Sequence, residues 1–144
     1  MHLGLALRSF ALAFWFGGGL ATLLATSAVS ARAPDRKLAG DLAGAILSRT
    51  GTVRSLMVVL LLAGVILGTR GAPTALGGAC AVVQVLSLGA DVLTRRVRRA
   101  AGGTIDALPP GDPRRRRFAA LHGVAMLLLL LQVLAAGAGL LLAG

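Results

Sequence analysis

Four stretches without a single charged residue divide this chain: Ser9 to Ala31, Ser55 to Thr69, Gly71 to Ala90 and Phe118 to Gly144. A helix rises about 1.5 Å per residue, so crossing a hydrocarbon layer of about 30 Å takes roughly 20 residues. The first, third and fourth stretches meet that length. The second has 15 uncharged residues, and Arg54 and Arg70 at its ends would have to snorkel outward for it to cross. A chain of 144 residues that is 56% hydrophobic and 14% charged is accordingly read as one integral membrane domain.

Charge placement decides the number of crossings. Fifteen Lys and Arg against five acids leave +10, and the basic residues fall in two blocks. With four spans, Arg32, Arg36, Lys37, Arg49 and Arg54 share a side with Arg95, Arg96, Arg98, Arg99 and Arg114 to Arg117, while Arg8 and Arg70 lie opposite. With three spans the two sides nearly balance. The excess of positive charge in cytoplasmic loops therefore selects four spans, over about 8–31, 53–70, 72–94 and 118–142, with both termini outside the cytoplasm of a bacterial inner membrane. A signal peptide ending at Val29-Ser30-Ala31 is the rival reading of the first segment. Its uncharged run is longer than the usual apolar region of about 7 to 15 residues, and cleavage would put the basic blocks outside, so the segment is expected to stay.

Between the first two spans, residues 35–49 form an amphipathic piece. Lys37, Asp41 and Ser48 share one face and Leu38, Leu42, Ala45 and Ile46 another, after the helix-starting pair Pro34-Asp35. It is expected to lie as a short helix in the headgroup plane. The second basic loop, 95–117, holds Gly102-Gly103, Pro109-Pro110-Gly111 and Pro113 and reads as an irregular linker. The predicted architecture is all-α: an up-down bundle of four transmembrane helices plus the interfacial helix.

The third span sets Gly77, Cys80, Gln84, Ser87, Asp91 and Thr94 at alternating spacings of 3 and 4, and the fourth does the same with His122, Ala125, Leu129, Gln132, Ala136, Gly139 and Ala143. That period puts small and polar residues on two seams suited to a left-handed helix contact. Antiparallel packing would bring the two amides to neighbouring depths, so a Gln84 to Gln132 hydrogen bond is predicted. The first span adds Thr22, Thr26 and Ser30. The second offers almost nothing polar between Leu56 and Leu67; its Gly64/Gly68 pair is of a kind that twenty glycines produce by chance.

Chemistry is otherwise sparse. Asp91, with His122 at about the same depth, could bind a cation or relay a proton; paired with Arg95 or Arg54 it is structural, and its place at the membrane edge weights it that way. One cysteine, Cys80, excludes an internal disulfide, and with His2 and His122 alone beside it no closed zinc site of the usual ligands can form. The two histidines belong on opposite sides of the bilayer and cannot clamp one haem, so no cofactor is assigned. Arg95, Arg96, Arg98, Arg99 and Arg114, Arg115, Arg116 and Arg117 lack interleaved aromatics, which favours anionic lipid headgroups over nucleic acid. A second copy or another membrane protein stays open as a partner.

The segments Phe14-Trp15-Phe16-Gly17-Gly18-Gly19, Leu38-Ala39-Gly40 with Gly44, and Phe118-Ala119-Ala120-Leu121-His122 resemble the bacterial domain-of-unknown-function family related to eukaryotic transmembrane protein 205. The resemblance covers nearly the whole chain and implies a small four-span integral membrane protein; it supplies no catalytic residues. The family's proline and aromatic near the end of span one are replaced here by Ser27-Ala28-Val29-Ser30. The functional expectation is a small transport or efflux component rather than an enzyme, with the polar seams as its path. A membrane scaffold or assembly subunit is the alternative, using the same groups as inter-helix glue; a cofactor-binding redox protein is the third. A hydrated route to Gln84 and Gln132 would favour transport, and a dry seam the scaffold.

Overall fold

The computed structural model of the chain describes residues 2–102 and 105–143, without the side chains of Arg36 and Asp106. Four helices dominate it: α1 (His2–Arg32), α2 (Arg36–Ile66), α3 (Ala72–Ala100) and α4 (Pro113–Leu141), with a single 3-10 turn at Ile105–Ala107 before α4. All four are long and apolar enough to cross a membrane. They form an all-α, up-down bundle, and the chain is a multi-pass membrane protein. Gly103 and Gly144, which belong to the expected linker and last apolar stretch, lie outside the described residues.

The helix ends follow from local chemistry. Asp35 caps α2, its Oδ1 accepting from the Leu38 amide at 2.7 Å, and Asp112 caps α4 by accepting from the Arg114 amide at 2.7 Å. Proline occupies the first turn of α3 and of α4, where its missing N–H costs no helical bond. At the end of α2, Gly68 takes a φ of 94° and two bonds close the helix, Gly68 N–H to the Val65 carbonyl and Thr69 N–H to that of Gly64. This reversal needs a left-handed residue, which glycine supplies without a Cβ clash.

Two expectations about boundaries are corrected. The amphipathic piece at 35–49 is no separate interfacial helix: it is the first half of α2, which runs without a break from Arg36 into the apolar span. Nothing between Arg49 and Val53 stops a helix, since Gly51 lowers propensity without breaking the hydrogen-bond ladder. Similarly, α3 continues past Thr94 to Ala100 and α4 starts at Pro113 rather than Phe118, so the arginines of the expected loop ride on helix ends.

α1 packs mainly on α2 and α3 on α4, with α1 and α4 joining the two hairpins; α2 and α3 touch more sparsely. Ala11, Leu12, Trp15, Met57, Leu61, Cys80 and Ala136 make the buried core. Leu24, Val59, Val85, Leu127 and Leu134 point outward, more than half exposed, as lipid-facing residues must. Small residues bring the backbones close: a Cβ on Gly64 would meet the Gly4 carbonyl oxygen at 3.0 Å, and one on Gly19 would meet Val133 Cγ2 at 2.5 Å.

Candidate functional site: a buried polar ring around Arg54

At mid-depth in the bundle the core turns polar. Arg54 is 4% exposed, and its Nε donates to Gln132 Oε1 at 2.8 Å. Gln132 Nε2 in turn donates to the Cys80 carbonyl at 2.8 Å and to Gln84 Oε1 at 3.4 Å. Gln84 Nε2 completes the circuit, donating to Ser55 Oγ at 3.0 Å and to the Gly51 carbonyl at 3.2 Å. Because Ser55 adjoins Arg54, the bonds run α2 to α4 to α3 and back to α2. Trp15 links α1 to the ring, its indole Nε1–H donating to the Arg54 carbonyl at 3.1 Å.

This placement corrects the reading of Arg54. It does not snorkel from a helix end: it lies 12 residues before Ile66, about 18 Å along the axis, and its side chain is enclosed by the bundle. Arg54 thus leaves the basic side, which keeps twelve of its thirteen positive residues. An isolated charge at that depth is costly, and the bond to Gln132 offsets part of the cost. Among the described residues Arg54 makes no salt bridge. Its Nη2 is buried with no hydrogen-bond partner. Asp91, half-buried on α3 two turns from Gln84, forms no ion pair with Arg54 in the described structure.

The two amides of the α3 and α4 seams meet as their spacing predicts, Gln84 being 1% exposed and Gln132 fully buried. The other polar seam residues do not join the ring. Thr22 and Thr26 are buried, but their hydroxyls donate to the carbonyls of Gly18 and Thr22, four residues back in the same helix; Ser30 does likewise to Thr26 and Ser87 to Val83. Such back-bonding satisfies a hydroxyl locally and leaves it no donor for a neighbour. His122 is exposed and stacks on Phe118 of its own helix, with centroids 6.4 Å apart. It does not pair with Asp91 in the described structure.

The basic end is tied together by its few acids. Asp41, on the first half of α2, forms an exposed salt bridge with Arg98 at the end of α3. Asp112 binds Arg114 at 2.8 Å, and those side-chain and backbone bonds hold its carboxyl below the usual carboxylate range. Arg114 and Arg115 also reach the carbonyls of Ala100 and Leu108, at 3.2 and 3.1 Å. Arg98 and Arg99 in the last turn of α3 suit the negative end of its dipole, whereas Arg114 to Arg117 open α4 against its positive end, where Asp112 compensates. Arg95, Arg96, Arg99, Arg116 and Arg117 stand in the open.

Among the described residues no three His, Cys, Asp or Glu side chains come together to hold a metal ion. A cleft of about 280 Å³ between α2 and α3 is lined by Val58, Ala81, Val82, Val85 and Leu86, an apolar surface matched to acyl chains. The ring itself is closed: Gln84 and Gln132, with Trp15 and Cys80 that bond to its members, are less than 2% exposed. Comparison with protein-family models, with curated proteins and with solved structures gave no match. The arrangement is that of an integral membrane protein with one buried cation at the centre of its bundle.

Proposed function

We propose that the chain is a small inner-membrane transport component that handles an anion, with Arg54 as the group that binds it. The observation that carries this reading is the free Nη2 arm of Arg54. A cation held at mid-depth, satisfied on one edge by Gln132 and unpartnered on another, offers N–H donors to a carboxylate or inorganic anion. Packing alone does not call for such a charge, because a neutral amide would close the same ring. In this reading the basic end faces the cytoplasm, where Arg95, Arg96, Arg99 and Arg114 to Arg117 meet anionic headgroups, and both termini face outward. The likeness of the Trp15 to Gly19 and Phe118 to His122 segments to the family related to transmembrane protein 205 supports a membrane protein of this size and span number.

A second reading is favoured by the dryness of the ring. Gln84 and Gln132 are sealed from solvent, and every hydrogen-bonding position of the Gln132 amide nitrogen is used within the bundle. A scaffold or assembly subunit needs that and no more. Transport requires the ring to open.

Proteoliposomes separate the two. Vesicles loaded with chloride, phosphate or acetate are compared with protein-free vesicles, and the Arg54→Gln and Gln84→Leu variants are run beside the native chain. Anion flux that Arg54→Gln abolishes while the protein stays folded is the result expected of transport. If the native chain carries none of the three anions faster than bare lipid, transport through this ring is refuted and the scaffold reading stands.

A further inference from the structure

About 15 Å from the Arg54 ring along α2, at the end of the bundle opposite the basic loops, a second arginine is hidden. Arg8, in the second turn of α1, is 5% exposed, its Nε is buried without a partner, and it makes no hydrogen bond or ion pair among the described residues. At the same helix crossing is Thr69, also 5% exposed, whose Oγ1 is buried and unpartnered. The crossing of α1 and α2 at Gly4 and Gly64 brings the two together. A Cβ on Gly4 would lie 3.2 Å from Thr69 Cγ2, and one on Gly64 would lie 3.6 Å from Arg8 Cβ. Thr74, in the first turn of α3 at the same end, has a third buried hydroxyl with no partner.

Buried polar atoms are satisfied in native proteins almost without exception, and a buried guanidinium nitrogen such as Arg8 Nε is costly to leave without an acceptor. No side-chain carboxylate of the described residues supplies the missing acceptor. The chain has no glutamate, and its five aspartates are Asp35, Asp41, Asp91, Asp106 and Asp112, none of them at this end. An acceptor from outside the described chain would satisfy Arg8. Arg8 sits six residues into α1, about 9 Å along the axis, and Thr69 lies just past the end of α2, so both stand toward the end of the bundle, where the four-span reading puts the headgroups. The acceptor chemistry available there is phosphate, whose oxygens accept several N–H and O–H bonds at once and match the guanidinium fork.

We infer that Arg8 and Thr69 form a site for a phosphate-bearing group, supplied by a phospholipid headgroup or by free phosphate. The site is separate from the Arg54 ring and independent of what that ring does.

The test uses the full chain purified in detergent and stripped of lipid, with dimyristoyl phosphatidylglycerol, dimyristoyl glycerol and inorganic phosphate as probes. Binding is read by native mass spectrometry and by the rise in unfolding temperature that each probe causes. The native chain should retain phosphatidylglycerol and be stabilised by it, while dimyristoyl glycerol, which lacks the phosphate, gives no comparable rise. Arg8→Gln should bind phosphatidylglycerol about tenfold more weakly, Arg8→Lys should recover part of the loss, and Thr69→Val should weaken binding by a smaller factor. Stabilisation by inorganic phosphate alone would identify free phosphate as the source; a response confined to the lipid would identify the headgroup. Equal retention by the native chain, Arg8→Gln and Thr69→Val, or an equal rise with dimyristoyl glycerol, overturns the proposal. Should Arg8→Gln fail to fold, Thr69→Val and Arg8→Lys decide it.

Discussion

Trp15 donates its indole N–H to the main-chain carbonyl of Arg54 at 3.1 Å, so the residue that carries the buried charge is held by α1 through its backbone and by α4 through its side chain. The two grips act on different atoms and can be removed one at a time.

Removing the α4 grip should be the more damaging. Gln132→Leu strands the Arg54 guanidinium without a side-chain acceptor, a loss of about 3–5 kcal/mol for an uncompensated buried charge. The double variant Arg54→Met/Gln132→Leu should recover much of that loss, since an apolar pair needs no acceptor. Unfolding by dodecyl sulfate titration in mixed micelles measures both. A double variant less stable than Gln132→Leu alone would contradict this account.

Trp15→Phe keeps most of the ring's packing and loses only the bond to the Arg54 carbonyl, at a cost of about 1 kcal/mol. Trp15→Ala, which also opens a cavity, should cost about 3–5 kcal/mol. As the only tryptophan in the chain and a fully buried one, Trp15 should emit at short wavelength and resist acrylamide quenching until the bundle opens.

Three glycine-to-alanine changes should differ in sign. At Gly19 the new methyl meets Val133 Cγ2 at 2.5 Å, and a β-branched side chain has few rotamers to yield with, so about 1–3 kcal/mol is lost. At Gly77 the neighbour is Leu61 Cδ1 at 2.7 Å, the far end of a longer side chain, and the loss should be smaller. At Gly17 nothing lies within 4 Å, and the gain in helix propensity should stabilise by about 0.5–1 kcal/mol. Val133→Ala should rescue Gly19→Ala and leave Gly77→Ala unchanged. Thermal unfolding in one detergent ranks all of them.

Asp112 sets a pH response at the start of α4. Its carboxyl is held below the ordinary 3.8, first by the side-chain hydrogen bond from Arg114 and then by backbone bonds. The folded value being the lower one, the cap contributes its full stability above the ordinary value and loses it as pH falls through the folded value. Asp112→Ala should remove this acid-side loss and fray the first turn of α4. Amide hydrogen exchange of residues 114–117, followed from neutral pH down to pH 3, reads both effects.

Much of the bundle is written in residue spacing. The alternating 3 and 4 steps through Cys80, Gln84 and Ser87 and through Leu129, Gln132 and Ala136 are visible because those polar residues interrupt otherwise apolar runs, and the two amides meet where that period places them. The matching seam on α2, through Gly51, Arg54, Met57, Leu61 and Gly64, is hidden in the sequence because a charge there reads as the border of a span. Charge marks a border only when water is the sole available partner. Here Gln132 is another, and that partner is 78 residues away in sequence. One local signal did exist: no stop separates the amphipathic half of α2 from its apolar half, so the helix had to carry Arg54 inward. The hydroxyls of Thr22, Thr26 and Ser30 carry no such signal, because a threonine that bonds its own helix and one that reaches a neighbour look alike in sequence.

The unbroken length of α2 has a mechanical consequence. At 31 residues it is about 46 Å long, some 16 Å more than the hydrocarbon it crosses, and the overhanging third that begins at Arg36 is latched to α3 through Asp41 and Arg98. A stiff rod anchored at one end and loaded at the other is a lever. The latch and Arg54 thus sit on one unbroken rod.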